Sequence, residues 1–378
     1  RENHISSDSW PIYISLQKDG ILFKMRRTQD LPDKESATMF FQDCKLSHQA
    51  QITGISHSVK EILPPDLLDL TQLQKEANIR YGYTASEVYD IAQSLYEKKL
   101  ISYPRTSSRY LTEDVFDSLP PIMARLLSWE LFPAAKGTGG IDISNLSRHV
   151  ISAEKANVHH AIIITGIRPG NLSEKEMQVY RLVAGRMLET FMAPCRIETT
   201  NVEAVCAAQH FKAEQTRIIE AGWHDVFMRS DMVPKSGYSV NELPEVEKGD
   251  NLNVCGCNMV HKKELPVDPF TDAELVEYME LNGLGTVSSR TNIIRTLVNR
   301  KYIRYSGKYI VPTPKGMFTY ETIRGKKIAD TSLTADWEKQ LTGLESGMIT
   351  GQDFLNRIRT LAKEMTDDIF NTYSTKEE

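Results

Sequence analysis

Long apolar runs are missing from this sequence. Nowhere do eighteen or more apolar residues follow one another, so no membrane-spanning helix is expected, and no segment reads as a secretory signal. Cysteine is scarce, with five residues in 378: Cys44, Cys195, Cys206, Cys255 and Cys257. Only Cys255-Gly-Cys257 is a close pair and no second pair completes a zinc site, so reduced thiols in a cytoplasmic protein are expected. Excess positive charge is missing too. Lys and Arg number 45 against 50 Asp and Glu, a formal net charge of −5, so any binding of nucleic acid must rest on a local patch. There is no G-x-x-x-x-G-K-[ST] loop, no G-x-S-x-G, no H-E-x-x-H and no paired Asp-x-Asp to hold Mg²⁺.

What is present is ordinary globular composition, 40% hydrophobic and 25% charged, in a chain long enough for about two to four domains. It opens on Arg1 within polar sequence, which reads as a piece of something longer. Residues 1–63 read as β, with a hairpin signal at Lys18-Asp19-Gly20 inside "WPIYISLQKDGILFKMRR". Residues 64–194 read as helical. One helix stops at Gly82, another starts at Thr84 with Glu87 completing a capping box, and a third is N-capped by Ser173. Residues 195–264 alternate again as strands, and 265–378 return to helix. The expected fold class is therefore a multidomain α+β protein in which a discontinuous β domain is interrupted by a helical domain and followed by another.

The sequence repeats itself once. "TASEVYDIAQSLYEKKLISYPR" from Thr84 aligns with "TVSSRTNIIRTLVNRKYIRYSG" from Thr286, matching Ser86 with Ser288, Leu95 with Leu297, Lys99 with Lys301 and Tyr103 with Tyr305. Each copy follows a helix and a glycine turn and leads into an extended run, the outline of a winged helix-turn-helix.

Chemistry centres on "LISYPRTSSRYL". In an extended segment residues i and i+2 share a face, so Tyr103 and Arg105 point together. A free phenol is a poor nucleophile at neutral pH. A guanidinium beside it can grip two phosphate oxygens and suits attack on a phosphodiester. The residues alone leave open a tyrosine of the core or surface. Gln93 and Glu97, spaced i and i+4, lead down one helix face towards Tyr103. They could hydrogen-bond a sugar or base edge, or simply be solvated. His159 and His160 precede an apolar run, where a structural role competes with an imidazole beside phosphate. From Leu281 to Tyr320 there is no Asp or Glu, while Arg290, Arg295, Arg300, Lys301, Arg304, Lys308 and Lys315 fall in that window. "GLGTVSS" places Thr286, Ser288 and Ser289 hydroxyls at a helix start, where phosphate is favoured, and Tyr302, Tyr305 and Tyr309 could stack bases. A solvated basic face is the alternative.

Taken in order, "LPPDLLDLTQLQKEA", "LISYPRTSSRYL", "HHAIIITG", "NGLGTVSSRTNIIRTLVNRKYI", "VPTPKG" and "LTADWEKQL" resemble the successive motifs of type IA DNA topoisomerases, with "HHAII" and "GLGT…SR" nearer the topoisomerase III branch. The resemblance covers the whole chain. It implies a four-domain toroid that cuts one DNA strand through a tyrosine, leaves a 5′-phosphotyrosine, passes another strand and reseals the break. Tyr103 matches the nucleophile and Arg105 the arginine that positions the scissile phosphate. His159 matches the histidine near that phosphate. Gln93, Glu97, Ser102 and Thr106 match the strand-binding groove, and Ser288, Ser289, Arg290 and Arg300 match DNA contacts. The β segments match the arch that hinges the gate.

The resemblance also implies Mg²⁺ in a Toprim domain of the full-length enzyme, and no counterpart of that domain is read in these residues. No cofactor is expected here, and a core that binds single-stranded DNA without cutting it is the expectation. A helicase partner and a monomeric state are further expectations. Two positions depart from the pattern: Ser107 stands where many relatives have Asp, and Ile164 where many have Pro. Two other readings compete: a non-catalytic single-strand-binding scaffold, and a tyrosine recombinase, which would leave a 3′ linkage.

Overall fold

The computed structural model describes residues 8–129, 131–132, 141–156, 159–227 and 235–374. The chain divides into two compact units. The first takes 1–65, 132–142 and 188–267, the second 66–131, 143–187 and 268–378. Most of the two helical segments read from the sequence as separate domains thus falls in the second unit.

The first unit is built on β1 (Asp8–Ser9), β2 (Ile12–Lys18), β3 (Ile21–Arg27), α1 (Lys34–Leu46), β4 (Gln49–Ile62), β5 (Cys195–Cys206), β6 (Gln209–Glu220), β7 (Asn251–Met259) and β8 (Lys262–Lys263). Six strands close a barrel in the order β2-β3-β6-β5-β4-β7, and β1 pairs with β8. The β2-β3 hairpin turns at Asp19 and Gly20, both with positive φ, as a two-residue turn requires. Alternation fills the interior: Ile12, Ile14 and Leu16 are fully buried, packing with Phe23, Met25, Ile52, Val202 and Phe211. Helix α1 corrects the all-strand reading of residues 1–63. Asp33 follows Pro32 and accepts from Ser36 N at 2.7 Å, an N-cap that starts a helix where the sequence shows no clean apolar stripe.

The second unit holds α2 (Leu70–Tyr81), α3 (Ala85–Glu97), α4 (Glu113–Asp117), α5 (Leu119–Ser128), α6 (Ala153–Ala156), most of α7 (Glu174–Phe191), α8 (Asp272–Leu281), α9 (Val287–Asn299), the hairpin β9 (Ile303–Ser306) and β10 (Tyr309–Pro312), and then α10 (Pro314–Ile323), α11 (Thr331–Glu345) and α12 (Gly351–Ser374). No helix among the described residues is long and apolar enough to cross a membrane.

The two repeats agree hydrogen bond by hydrogen bond through the turn. Lys98 N donates to Ser94 O and Arg300 N to Thr296 O; Leu100 N donates to Leu95 O and Tyr302 N to Leu297 O. Lys99 and Lys301 both adopt left-handed φ, 59° and 60°. Beyond the turn the copies part. The second forms a local wing, β9-β10, reversing at Gly307 (φ 58°). The first forms no hairpin: Ile101 bridges instead to Ile164. The winged outline expected of both copies therefore describes only the second, because only there does a glycine turn bring the chain straight back.

Candidate active site

The segment Leu100 to Leu111 is a strap laced to a run some 60 residues further on. Ser102 N donates to Ile163 O at 2.8 Å. The Ser102 hydroxyl donates to Ala161 O (3.1 Å) and accepts from Ile163 N (3.0 Å). The Thr106 hydroxyl donates to His159 O (2.7 Å) and Ser108 Oγ to Lys155 O (2.7 Å). Arg109 Nε reaches the buried carboxylate of Asp69, the N-cap of α2, at 2.6 Å. Burial of Ala161, Ile162, Ile163 and Ile164 holds the partner run in place and accounts for its apolar sequence. The bridge at Ile164 uses the N–H groups of Ser102 and Thr165. The Ile164 N–H turns to Met187 Sδ at 3.2 Å, so the departure from Pro leaves the ladder unaffected.

Lacing the two runs places Tyr103 against His159, ring centroids 4.5 Å apart, while the edge of Tyr96 on α3 meets Tyr103 at 5.3 Å. The Tyr103 hydroxyl has no hydrogen-bond partner among the described residues. Arg105 lies with its guanidinium carbon 5.0 Å from the centre of the Tyr89 ring and donates from Nη2 to Gln93 Oε1 at 3.3 Å. Gln93 in turn donates to Glu97 Oε1 at 2.8 Å. Arg105 Nε is buried without a hydrogen-bond partner, so the guanidinium keeps donor capacity for an anion. His160 turns away, its Nδ1 2.7 Å from Ala161 O.

An open cleft of about 360 Å³ is lined by Tyr103, Arg105, Thr106, Ser107, His159, Thr286, Val287 and Ser288. It carries no acidic side chain in that lining. One wall is the N-terminus of α9, whose amides favour an anion. Gly285, with φ 71° and Ser289 Oγ 2.8 Å from where a Cβ would stand, permits the tight entry to that helix.

Of the residues singled out from sequence, Tyr103, Arg105, Thr106, His159 and Ser288 are brought together. Gln93 and Glu97 stand behind Arg105 as a hydrogen-bonded chain. The Ser102 hydroxyl is spent inside the strap. Ser289 closes the capping box with Thr286 N at 2.7 Å, and Arg290 is buried with Nη1 3.4 Å from Glu280. Arg300 is exposed at the far end of α9, about 20 Å along the axis from the cleft. Sequence reasoning passed over Tyr89 and Tyr96, although with Gln93 they share one face of α3 at i, i+4 and i+7.

The twin tyrosine has another environment. Tyr305 OH donates to Asp272 Oδ2 at 3.2 Å, and that oxygen also accepts from Ala85 N at 2.5 Å. Burial pushes the Asp272 carboxyl up and, with the adjacent carboxylate, pushes the Tyr305 phenol up.

A family model described as DNA topoisomerase matches residues 1–356. The chain belongs to the type IA DNA topoisomerase family. Curated relatives named DNA topoisomerase 3 include those of Bacillus licheniformis (31% identity, 85% of this chain and 47% of the relative), Shouchella clausii (30%, 93% and 51%) and Bacillus subtilis (30%, 86% and 48%). They lie in the branch to which the motifs pointed, and the chain spans about half the length of the curated relatives it matches. Full-length topoisomerase I from Thermotoga maritima superposes with a TM-score of 0.73 over 96% of this chain and 59% of that one, at 22% identity. That likeness concerns the fold.

The family implies Mg²⁺. Among the described residues no group of three or more His, Cys, Asp or Glu could hold a metal ion, so the described residues do not form such a site.

Proposed function

We propose that this chain carries the strand-cleaving tyrosine and part of the DNA-binding surface of a type IA topoisomerase. The observation that supports this reading best is the shared cleft. A phenol with an unengaged hydroxyl, an arginine with spare donors, an imidazole and a helix N-terminus all face one space sized for a phosphodiester.

In this reading Arg105 and the α9 amides hold the scissile phosphate. The Tyr103 oxygen attacks phosphorus, the P–O bond to the 3′ side breaks, and a free 3′ hydroxyl departs from a 5′-phosphotyrosine. Resealing runs the same step backwards, with the 3′ hydroxyl displacing Tyr103. His159, its ring tilted against that of the tyrosine, stands where it can meet the phosphate charge. Gln93 and Glu97 orient Arg105, and Ser288 and Arg300 contact the strand, whereas Ser102, Ser289 and Arg290 build the scaffold. Strand passage and resealing are activities of the longer protein. The chain by itself binds single-stranded DNA without cutting it.

The test is covalent capture. Denaturing the longer protein in mid-reaction with a labelled single strand traps an adduct at the 5′ end, and Tyr103→Phe abolishes it. A 3′ adduct would favour a recombinase. An adduct that survives Tyr103→Phe would sink the assignment, and an adduct formed by this chain alone would sink the claim that it only binds.

A further inference from the structure

Three of the five cysteines converge in the barrel. Cys44 on α1 and Cys206 at the end of β5 are fully buried in one apolar cluster, and Cys257 on β7 packs against it. Cys257 Sγ lies 3.9 Å from Phe41 O, one turn before Cys44 on the same helix, so thiol and helix face each other. No disulfide joins them; all five cysteines are free. Cys257 is partly exposed, and Cys255, two residues away, is exposed.

We propose that Cys257 is a site of peroxide oxidation and that Cys44 is its resolving thiol.

Exposure supports this polarity, since Cys257 is the partly exposed thiol of the three while Cys44 and Cys206 are buried. The neighbouring Cys44 thiol holds the Cys257 thiol below its ordinary range against the opposing effect of burial. The Cys44 thiol beside it, together with burial, pushes Cys206 up. At Cys44 the Cys206 thiol pulls down, but the Cys257 thiol and burial outweigh it, and Cys44 is raised. Of the three sulfurs, the partly exposed one is thus the one held below its ordinary range, as an oxidisable cysteine beside a resolving partner requires.

The co-reactant is hydrogen peroxide. The Cys257 thiolate attacks the outer oxygen. The O–O bond breaks, an S–O bond forms, and the peroxide is reduced to hydroxide while sulfur becomes the sulfenic acid. Cys44 sulfur then displaces the hydroxyl from Cys257. The S–O bond breaks, the thiol proton leaves with the hydroxyl as water, and an S–S bond ties α1 to β7.

The experiment exposes the chain to equimolar hydrogen peroxide, blocks remaining thiols in acid and maps peptides by mass. The expected product is a Cys44–Cys257 cross-linked pair lighter than the free peptides by two hydrogens, with Cys255 unmodified at the same dose. In Cys44→Ser, dimedone labels Cys257. In Cys257→Ser, Cys44 and Cys206 stay reduced. Oxidation of Cys255 ahead of Cys257 would overturn the proposal, and so would a Cys257 that reaches the sulfinic state without any cross-link in the unaltered chain.

Discussion

Glu176 stands in the first turn of α7 and gathers donors from three places: Lys98 Nζ at 2.5 Å, Ser94 Oγ at 2.7 Å and Ser173 N at 3.0 Å. These bonds hold its carboxyl down at about 2, with Lys98 the largest influence. A depressed folded-state value stabilises the fold above the ordinary value of 4.5 and loses that stabilisation as pH falls through about 2. Glu176→Gln is therefore expected to cost about 1–2 kcal/mol at neutral pH. In urea unfolding at a series of pH values, the gap between the two proteins should narrow steadily below about pH 4.5. At the same scale, Tyr103 and Tyr305 show how a shared position acquires separate chemistry. One phenol is committed to a buried carboxylate and the other faces a cleft. In sequence the difference is visible only in Pro104-Arg105-Thr106 against Ser306-Gly307-Lys308.

The turn shared by both repeats places a lysine side chain in the left-handed region twice, at Lys99 and Lys301. Both side chains are exposed, and an L-residue in that conformation is strained by about 1–2 kcal/mol. Lys99→Gly and Lys301→Gly should each raise the melting temperature, corresponding to a gain of up to about 1 kcal/mol after the entropy glycine adds to the unfolded chain. A fall in melting temperature for both would show that the turn geometry is not what holds these residues. Elements with local signals were legible. The capping box at Thr84, the Gly82 stop and the Asp19-Gly20 turn each use residues a few positions apart. Helix α1 was missed because its start rests on one aspartate cap and its apolar face is weak. The partner of the Tyr103 strap was missed for another reason: nothing local in "LISYPRTSSRYL" records that its hydrogen bonds end on Ala161 and Ile163.

Across the whole molecule, charge and function pull apart. Net charge is −5, yet the window 281–320 holds no acid. Binding of single-stranded DNA through that window should weaken by about tenfold or more between 50 and 200 mM salt. Arg300→Ala should lower the slope of log affinity against log salt by about 0.7. Titrations read by fluorescence anisotropy would decide it, and a flat response to salt would exclude phosphate contacts as the source of affinity. The interruption of a β unit by helices was legible, because alternation stops near Pro64 and resumes near Cys195. The closure of six strands into a barrel was not, since alternating strands pair equally well in open sheets and barrels.

The strap that carries Tyr103 is fastened by residues 59 to 61 positions further along the chain. That separation becomes a delay when the protein is made. At about 5–20 residues per second, a ribosome needs roughly 3–12 s after adding Tyr103 before the isoleucines that seat it exist. Throughout that interval the tyrosine has neither its ladder nor His159 beside it. On the proposed function, the cleft around this phenol is therefore incomplete on the nascent chain, and its completion is timed by synthesis as well as by folding.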